Sequence, residues 1–273
     1  MVAAAAALSA LVLVPAPQAH AQQPQQPPAQ NGETAPAAPP AEGEKPRRQF
    51  WNLSLFTGGS ATRSSDVRLL QHATHTDATF HGVNWAGKPF SGSVYYGYRV
   101  GTFFKNTPRV GMELEFLHAK AYAKVQENRR ITGTWHGQPV DETAPMDSRV
   151  QEFRITNGIN TISLNLLYRV PVYTSPSFPD GRIQPYALMG LSYYLLYAIN
   201  TVDGEDNQPR GYRNSDFGYN LGLGVRYAIT PRVSLFVEGR YTEGDARVNI
   251  ARGGEGFTSL RTLHSIGGIT YGF

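Results

Sequence analysis

The sequence predicts an all-β fold, an eight-stranded antiparallel transmembrane β-barrel with long extracellular loops and short periplasmic turns. Three observations carry this. Runs of roughly ten residues alternate between apolar and small or polar side chains. Their apolar sides are rich in the chain's 15 Tyr and 13 Phe, set among 28 Gly. The segments between runs are alternately short and long.

The run 217–227, FGYNLGLGVRY, is the clearest. Phe217, Tyr219, Leu221, Leu223, Val225 and Tyr227 form one side, against Gly218, Asn220, Gly222, Gly224 and Arg226. A short link at 229–232 returns the chain as VSLFVEGRY, with Val233, Leu235, Val237 and Tyr241 opposed to Glu238 and Arg240. The same pattern runs through SVYYGYRVGTFF (93–104), GMELEFLHAKAYAK (111–124), NTISLNLLYRV (160–170) and LHSIGGITYGF (263–273). WNLSLFTGG (51–59) and IQPYALMGLSYYLLY (183–197) complete eight strands, the faces of the last being unassigned.

Polarity separates a soluble barrel from a membrane one. A soluble barrel hides its oily side and charges its exterior. Here the non-apolar side carries Arg99, Glu113, Glu115, Arg169, Arg226, Glu238 and Arg240 among glycines, which suits a narrow interior where charges pair. The tyrosine-rich side suits lipid. At about 3.3 Å rise and about 40° tilt each residue climbs roughly 2.5 Å, so a band of about 25 Å needs about ten residues. Short links lie at 105–108 and 229–232 and a moderate one at 171–182; long segments lie at 60–88, 125–149, 199–215 and 244–258.

Before the barrel, residues 1–21 form an apolar stretch ending in Ala19-His20-Ala21, read as a secretory signal peptide. Residues 22–48 are rich in Pro, Gln and Ala and are expected to be a disordered periplasmic tether, leaving 49–273 as the outer-membrane barrel. No cysteine is present, which excludes thiol chemistry and disulfide staples. The balance of 25 Lys+Arg to 21 Asp+Glu, without a basic cluster, argues against nucleic acid as a partner.

GLGVRYAITPRVSLFVEGRYT, with ITYGF at the end, resembles the OmpA-type outer-membrane barrel superfamily over about residues 50–273. THTDATFHGVNWAGKPF, YYGYRV, VGMELEFLHAKAYA, VQEFRITNGINTISLNLLYR and ITPRVSLFVEGRY, in that order, are most similar to the proteobacterial outer-membrane proteins grouped with lipid A oxidase. That resemblance implies oxygen-dependent oxidation of the proximal glucosamine of lipid A to aminogluconate. The chain departs from that group at Asn157, where a histidine precedes the strand-four asparagine.

His118 and Lys120 continue the outward parity of Met112, Leu114 and Phe116. An outward Lys costs about 2–4 kcal/mol at the bilayer midplane but about 0–1 near the interface. Counting up from Val110 puts Lys120 at the outer rim, where it can meet lipid A phosphates; counting up from Val170 puts Asn160 at the same height. The resemblance to the lipid A oxidase group then implies His118 as a candidate catalytic residue, with Lys120 and Asn160 as lipid-binding residues. His81 and Asp77, in the histidine-bearing first long segment with His72 and His75, are second candidates for acid/base work or for a divalent transition metal. Interior ion pairs are expected among Arg99, Glu113 and Glu115, and between Arg226 and Glu238. His264 and Ser265 are adjacent on a strand, point to opposite faces and cannot form a dyad. The expected partners are lipopolysaccharide or lipid A and the outer membrane, with the protein a monomer. The alternative is a non-enzymatic OmpA-type structural or surface-interaction barrel, and a small-solute pore comes third.

Overall fold

The computed structural model describes residues 48–89 and 94–273. The expected signal peptide at 1–21 and the expected tether at 22–48, apart from Arg48, lie outside the described residues. Fourteen strands are present: β1 (Trp51–Thr62), β2 (Ser65–Gln71), β3 (Thr76–Val83), β4 (Trp85–Ala86), β5 (Tyr96–Phe103), β6 (Val110–Ala123), β7 (Asn128–Trp135), β8 (Gln138–Pro145), β9 (Val150–Arg169), β10 (Ile183–Val202), β11 (Glu205–Asp206), β12 (Tyr212–Ala228), β13 (Val233–Ile250) and β14 (Gly254–Gly272). Eight of them close a ring in the order β1, β5, β6, β9, β10, β12, β13, β14, with β14 pairing back to β1 from Asn52↔Gly272 to Thr62↔Thr262. Every neighbouring pair in the ring is antiparallel.

The outward rows follow the alternation. Leu223 keeps 71 % of its surface and Val237 65 %, while Gly224 and Glu238, their neighbours in sequence, turn inward. The unassigned strand β10 also resolves: Met189 and Leu191 face out, whereas Tyr186, Leu188, Ser192, Tyr194 and Leu196 face in. Its alternation is blurred because both faces are apolar.

One expectation is corrected. The segments 60–88, 125–149, 199–215 and 244–258 are largely strand rather than loop. β9 and β10 run for 20 residues each, about twice the bilayer's need at roughly 2.5 Å per residue. Their upper halves rise into water on the extracellular side. There β14 pairs with β2 from Thr258↔Val67 to Glu255↔Leu70, and the sheet runs on through β3, β7 and β8. β7 and β8 meet at a two-residue turn, His136-Gly137, with φ of 50° and 76°, the geometry whose twist matches a hairpin. β8 ends the path, and carries Pro139 and Pro145.

The interior changes character with height. Within the lipid-facing level it is polar: Arg99, Glu113, Glu115, Glu238, Arg240, Asn165 and Asn220 are buried. Above it the inward side chains become apolar, with Val67, Leu69, Phe80, Ile131, Phe153, Ile155, Leu196, Val248 and Ile250 in one core. Strand β13 carries both regimes on a single face, Glu238 and Arg240 below and Ala246, Val248 and Ile250 above, while its outward side passes from Leu235 and Val237 to Asp245 and Arg247. The cause is the solvent. Burying an apolar side chain away from water contributes about 1.5–3 kcal/mol, and away from lipid almost nothing.

Candidate functional site at the outer rim

β5 and β6 are joined by the short turn after Phe104, which fixes their register: Arg99 lies opposite Glu115, and Tyr96 opposite His118. β9 continues the row by placing Asn160 opposite His118. Tyr96, His118 and Asn160 are therefore cross-strand neighbours, at the outward parity of Tyr98, Phe116 and Ile162. The imidazole stacks on the Tyr96 ring, centroids 5.1 Å apart and planes 22° from parallel. Its Nδ1 lies 2.8 Å from Asn160 Oδ1. With that carbonyl oxygen as acceptor, the ring donates from Nδ1 and keeps a lone pair on Nε2. Nε2 is buried and has no hydrogen-bond partner among the described residues.

Two details differ from the sequence reading. Asn160 pairs with His118 rather than standing level with Lys120, because the register matches Val110 with Tyr168 and not with Val170. The patch is also covered rather than open: His118, Lys120 and Asn160 retain 5 %, 4 % and 6 % of their surface. Lys120 lies opposite a bulge in β9, where Ala119↔Ile159 is followed by Ala121↔Ile155, so β9 holds two more residues there than β6. β10 steps over the same bulge between Leu196 and Ala198. Gly158 sits in it at φ +139°, a conformation that L side chains rarely adopt. The Asn157 side chain lies outside the described ones.

His81 and Asp77 do not join this row or each other. Asp77 forms a two-pronged pair with Arg68, both contacts 2.7 Å, and this hydrogen bonding holds its carboxyl below the usual carboxylate range. His81 lies between Asp66, 3.0 Å away, and Thr132, 2.8 Å away. Both are on β3, above the membrane level, and each is engaged within the extracellular sheet. No group of three or more His, Asp or Glu side chains arranged to hold a metal occurs among the described residues. His118 has an amide and an aromatic ring beside it rather than carboxylates, so the rim does not fit a transition metal either.

Below the rim the interior ions form one cluster. Arg99 reaches Glu115 at 2.5 Å and Glu238 at 2.8 Å, with Glu113 at 3.6 Å. Its guanidinium packs against the rings of Phe56 and Phe236, 4.5 and 4.9 Å from their centroids, which themselves meet edge to face. Gly97 makes room for Phe56, since a Cβ there would come within 2.1 Å of that ring. Arg240 bridges Glu115 and Glu238, and Tyr186 donates to Glu238 at 2.8 Å. The expected pair between Arg226 and Glu238 does not form. β12–β13 register puts Arg226 opposite Phe236 and Glu238 opposite Gly224, and the carboxylate is taken by Arg99 and Arg240. His264 points inward to Tyr95 (3.0 Å) and Thr242 (2.9 Å), and Ser265 faces out.

Sequence reasoning missed Tyr96 as the partner of His118. The register of the β5–β6 hairpin was the signal, because the Arg99–Glu115 match already fixes which residues face each other three rows higher.

A closed ring, an apolar exterior belt and a polar interior at belt height describe a bacterial outer-membrane protein, and the family comparison agrees. Residues 53–268 match the outer membrane protein beta-barrel domain family. The chain belongs to that family. Among solved structures it is similar to Neisserial surface protein A (14 % identity, 82 % of this chain and 97 % of that one, TM-score 0.41). It is similar also to OprG of Pseudomonas aeruginosa (12 %, 84 % and 99 %, 0.46) and to Ail of Yersinia pestis (9 %, 80 % and 99 %, 0.30). Likeness at this level says nothing about activity. No curated protein matches the chain.

Proposed function

We propose that this outer-membrane barrel receives the headgroup of lipid A at its outer rim and acts on it as a lipid A oxidase-like enzyme, converting the proximal glucosamine to aminogluconate with dioxygen. The observation that carries the reading is the row Tyr96, His118, Asn160: a lipid-parity histidine whose tautomer is set by Asn160 and whose Nε2 is left with a lone pair. A base in that state can take a proton from the sugar's anomeric hydroxyl. Oxidation at that carbon removes two electrons and two protons, which dioxygen accepts to become hydrogen peroxide. The lactone so formed opens with water to the acid. Lys120, on the same strand face, supplies a cation for a lipid A phosphate.

Mass spectrometry of lipid A from aerated cells with and without the gene tests the reaction. The expected result is a species one oxygen heavier than the parent, absent when His118→Ala replaces the wild type and reduced for Asn160→Ala. Unaltered lipid A in aerated wild-type cells overturns the enzymatic reading. Retention of lipid A by the purified barrel, weakened by Lys120→Gln, tests headgroup binding separately and identifies a barrel that binds without oxidising.

A further inference from the structure

The opposite end of the barrel holds a different kind of site. At the periplasmic mouth the 171–182 connection folds back on itself, bridging Val172 to Ile183 and Ser175 to Phe178. It brings Asp180 to Arg169 at 3.1 Å and to Arg48 at 3.8 Å. Arg169 is fully engaged: it donates to the Pro108 carbonyl at 2.9 Å and to Gln184 at 3.2 Å, and lies 3.6 Å over the Phe103 ring. Arg226 is not. It projects inward from β12 opposite Gln184, keeps 7 % of its surface, forms no salt bridge among the described residues, and has a buried Nε with no hydrogen-bond partner.

Arg226, Arg169 and Arg232 line one cavity of about 60 Å³ at this mouth, with Asp180 as its single acidic residue. Three guanidinium groups face one carboxylate, and that carboxylate is already taken by Arg169. Higher in the barrel Glu238 is held by Arg99 and Arg240, and Glu113 by Asn165 at 3.2 Å. A buried cation without a counter-charge is costly, and a planar guanidinium is best satisfied by an oxyanion that accepts two parallel bonds. At about 10–15 Å³ for each water-sized volume, the space has room for roughly four such volumes, the size of a phosphate or a carboxylate group.

We propose that the periplasmic mouth of the barrel is a binding site for a small oxyanion, phosphate or carboxylate, held by Arg226 and Arg232. The source of the anion is the periplasm, where it is free in solution.

Phosphorus-31 NMR of inorganic phosphate with the refolded full-length chain in detergent, at fixed ionic strength, separates the outcomes. Saturable broadening that sulfate competes away, weakened at least tenfold in Arg226→Met and less in Arg232→Gln, supports a free anion. No saturable broadening, or an undiminished effect in Arg226→Met, overturns the proposal. Heat-modifiable gel migration verifies that each variant is folded, and Arg130→Met, an extracellular arginine, serves as the unchanged control.

Discussion

Arg99 and Arg226 are buried in the same lumen under opposite conditions. Arg99 has three carboxylates within 4 Å and two aromatic rings against its guanidinium; Arg226 has no salt bridge among the described residues. Replacing Arg99 by Met leaves Glu113, Glu115 and Glu238 facing one arginine, Arg240, and is expected to cost about 3–5 kcal/mol. Urea unfolding in liposomes reads this as a lowered midpoint. The double variant Arg99→Met/Glu115→Leu is expected to recover part of the loss, because it removes an uncompensated charge with its partner. A double variant less stable than the single one contradicts this account. The two residues also mark what was legible at this scale. The inward parity of Arg99, Glu113 and Glu115 follows from period two alone. Which carboxylate Arg226 would meet depends on register across β12 and β13 and on competition from Arg240, and neither is written in the parity.

At the scale of elements, the strand faces were legible wherever one side faced lipid. Met112, Leu114 and Phe116 announce β6, and Phe217 through Tyr227 announce β12. What the pattern hid was the upper half of each strand. There the alternation persists with its polarity reversed, as along β13, so a reading tuned to an oily exterior ends the strand too early. The β9 bulge was hidden as well, since two extra residues leave the parity unchanged and only the pairing shows them. Gly158 holds that bulge at φ +139°, and Gly158→Val is expected to destabilise the barrel by about 1–3 kcal/mol from backbone strain. It should also disturb the Asn160–His118 contact, since a Cβ at 158 would come within 2.2 Å of the Asn160 side chain. The histidine ring resonances in NMR report this directly. A variant as stable as wild type, with an unshifted His118 ring, would refute the assigned role of the bulge.

For the whole molecule, the solvent on the outside decides what the inside must be. The lumen is filled twice, by ions and amides at the height of the lipid and by an apolar core above it. Among the described residues both layers bury their side chains in the lumen. Reconstituted into a planar bilayer, the wild-type barrel is expected to give no discrete conductance steps; stable ohmic openings would restore the pore reading. Under the proposed function, a filled lumen leaves the outer wall for chemistry on a lipid, and the row of Tyr96, His118 and Asn160 has that outward parity.

Among the described residues the extracellular sheet, unlike the ring beneath it, ends in a strand with one unpaired edge. Alternate residues of a hairpin turn their N–H groups toward the partner strand, so Pro139 and Pro145, which have none and share one parity, fall on the side facing away. Asp141 and Glu142 lie between them. A cell surface is crowded with copies of such proteins, each a template for strand addition. The last strand here offers a neighbour few donors, which disfavours strand addition at this edge.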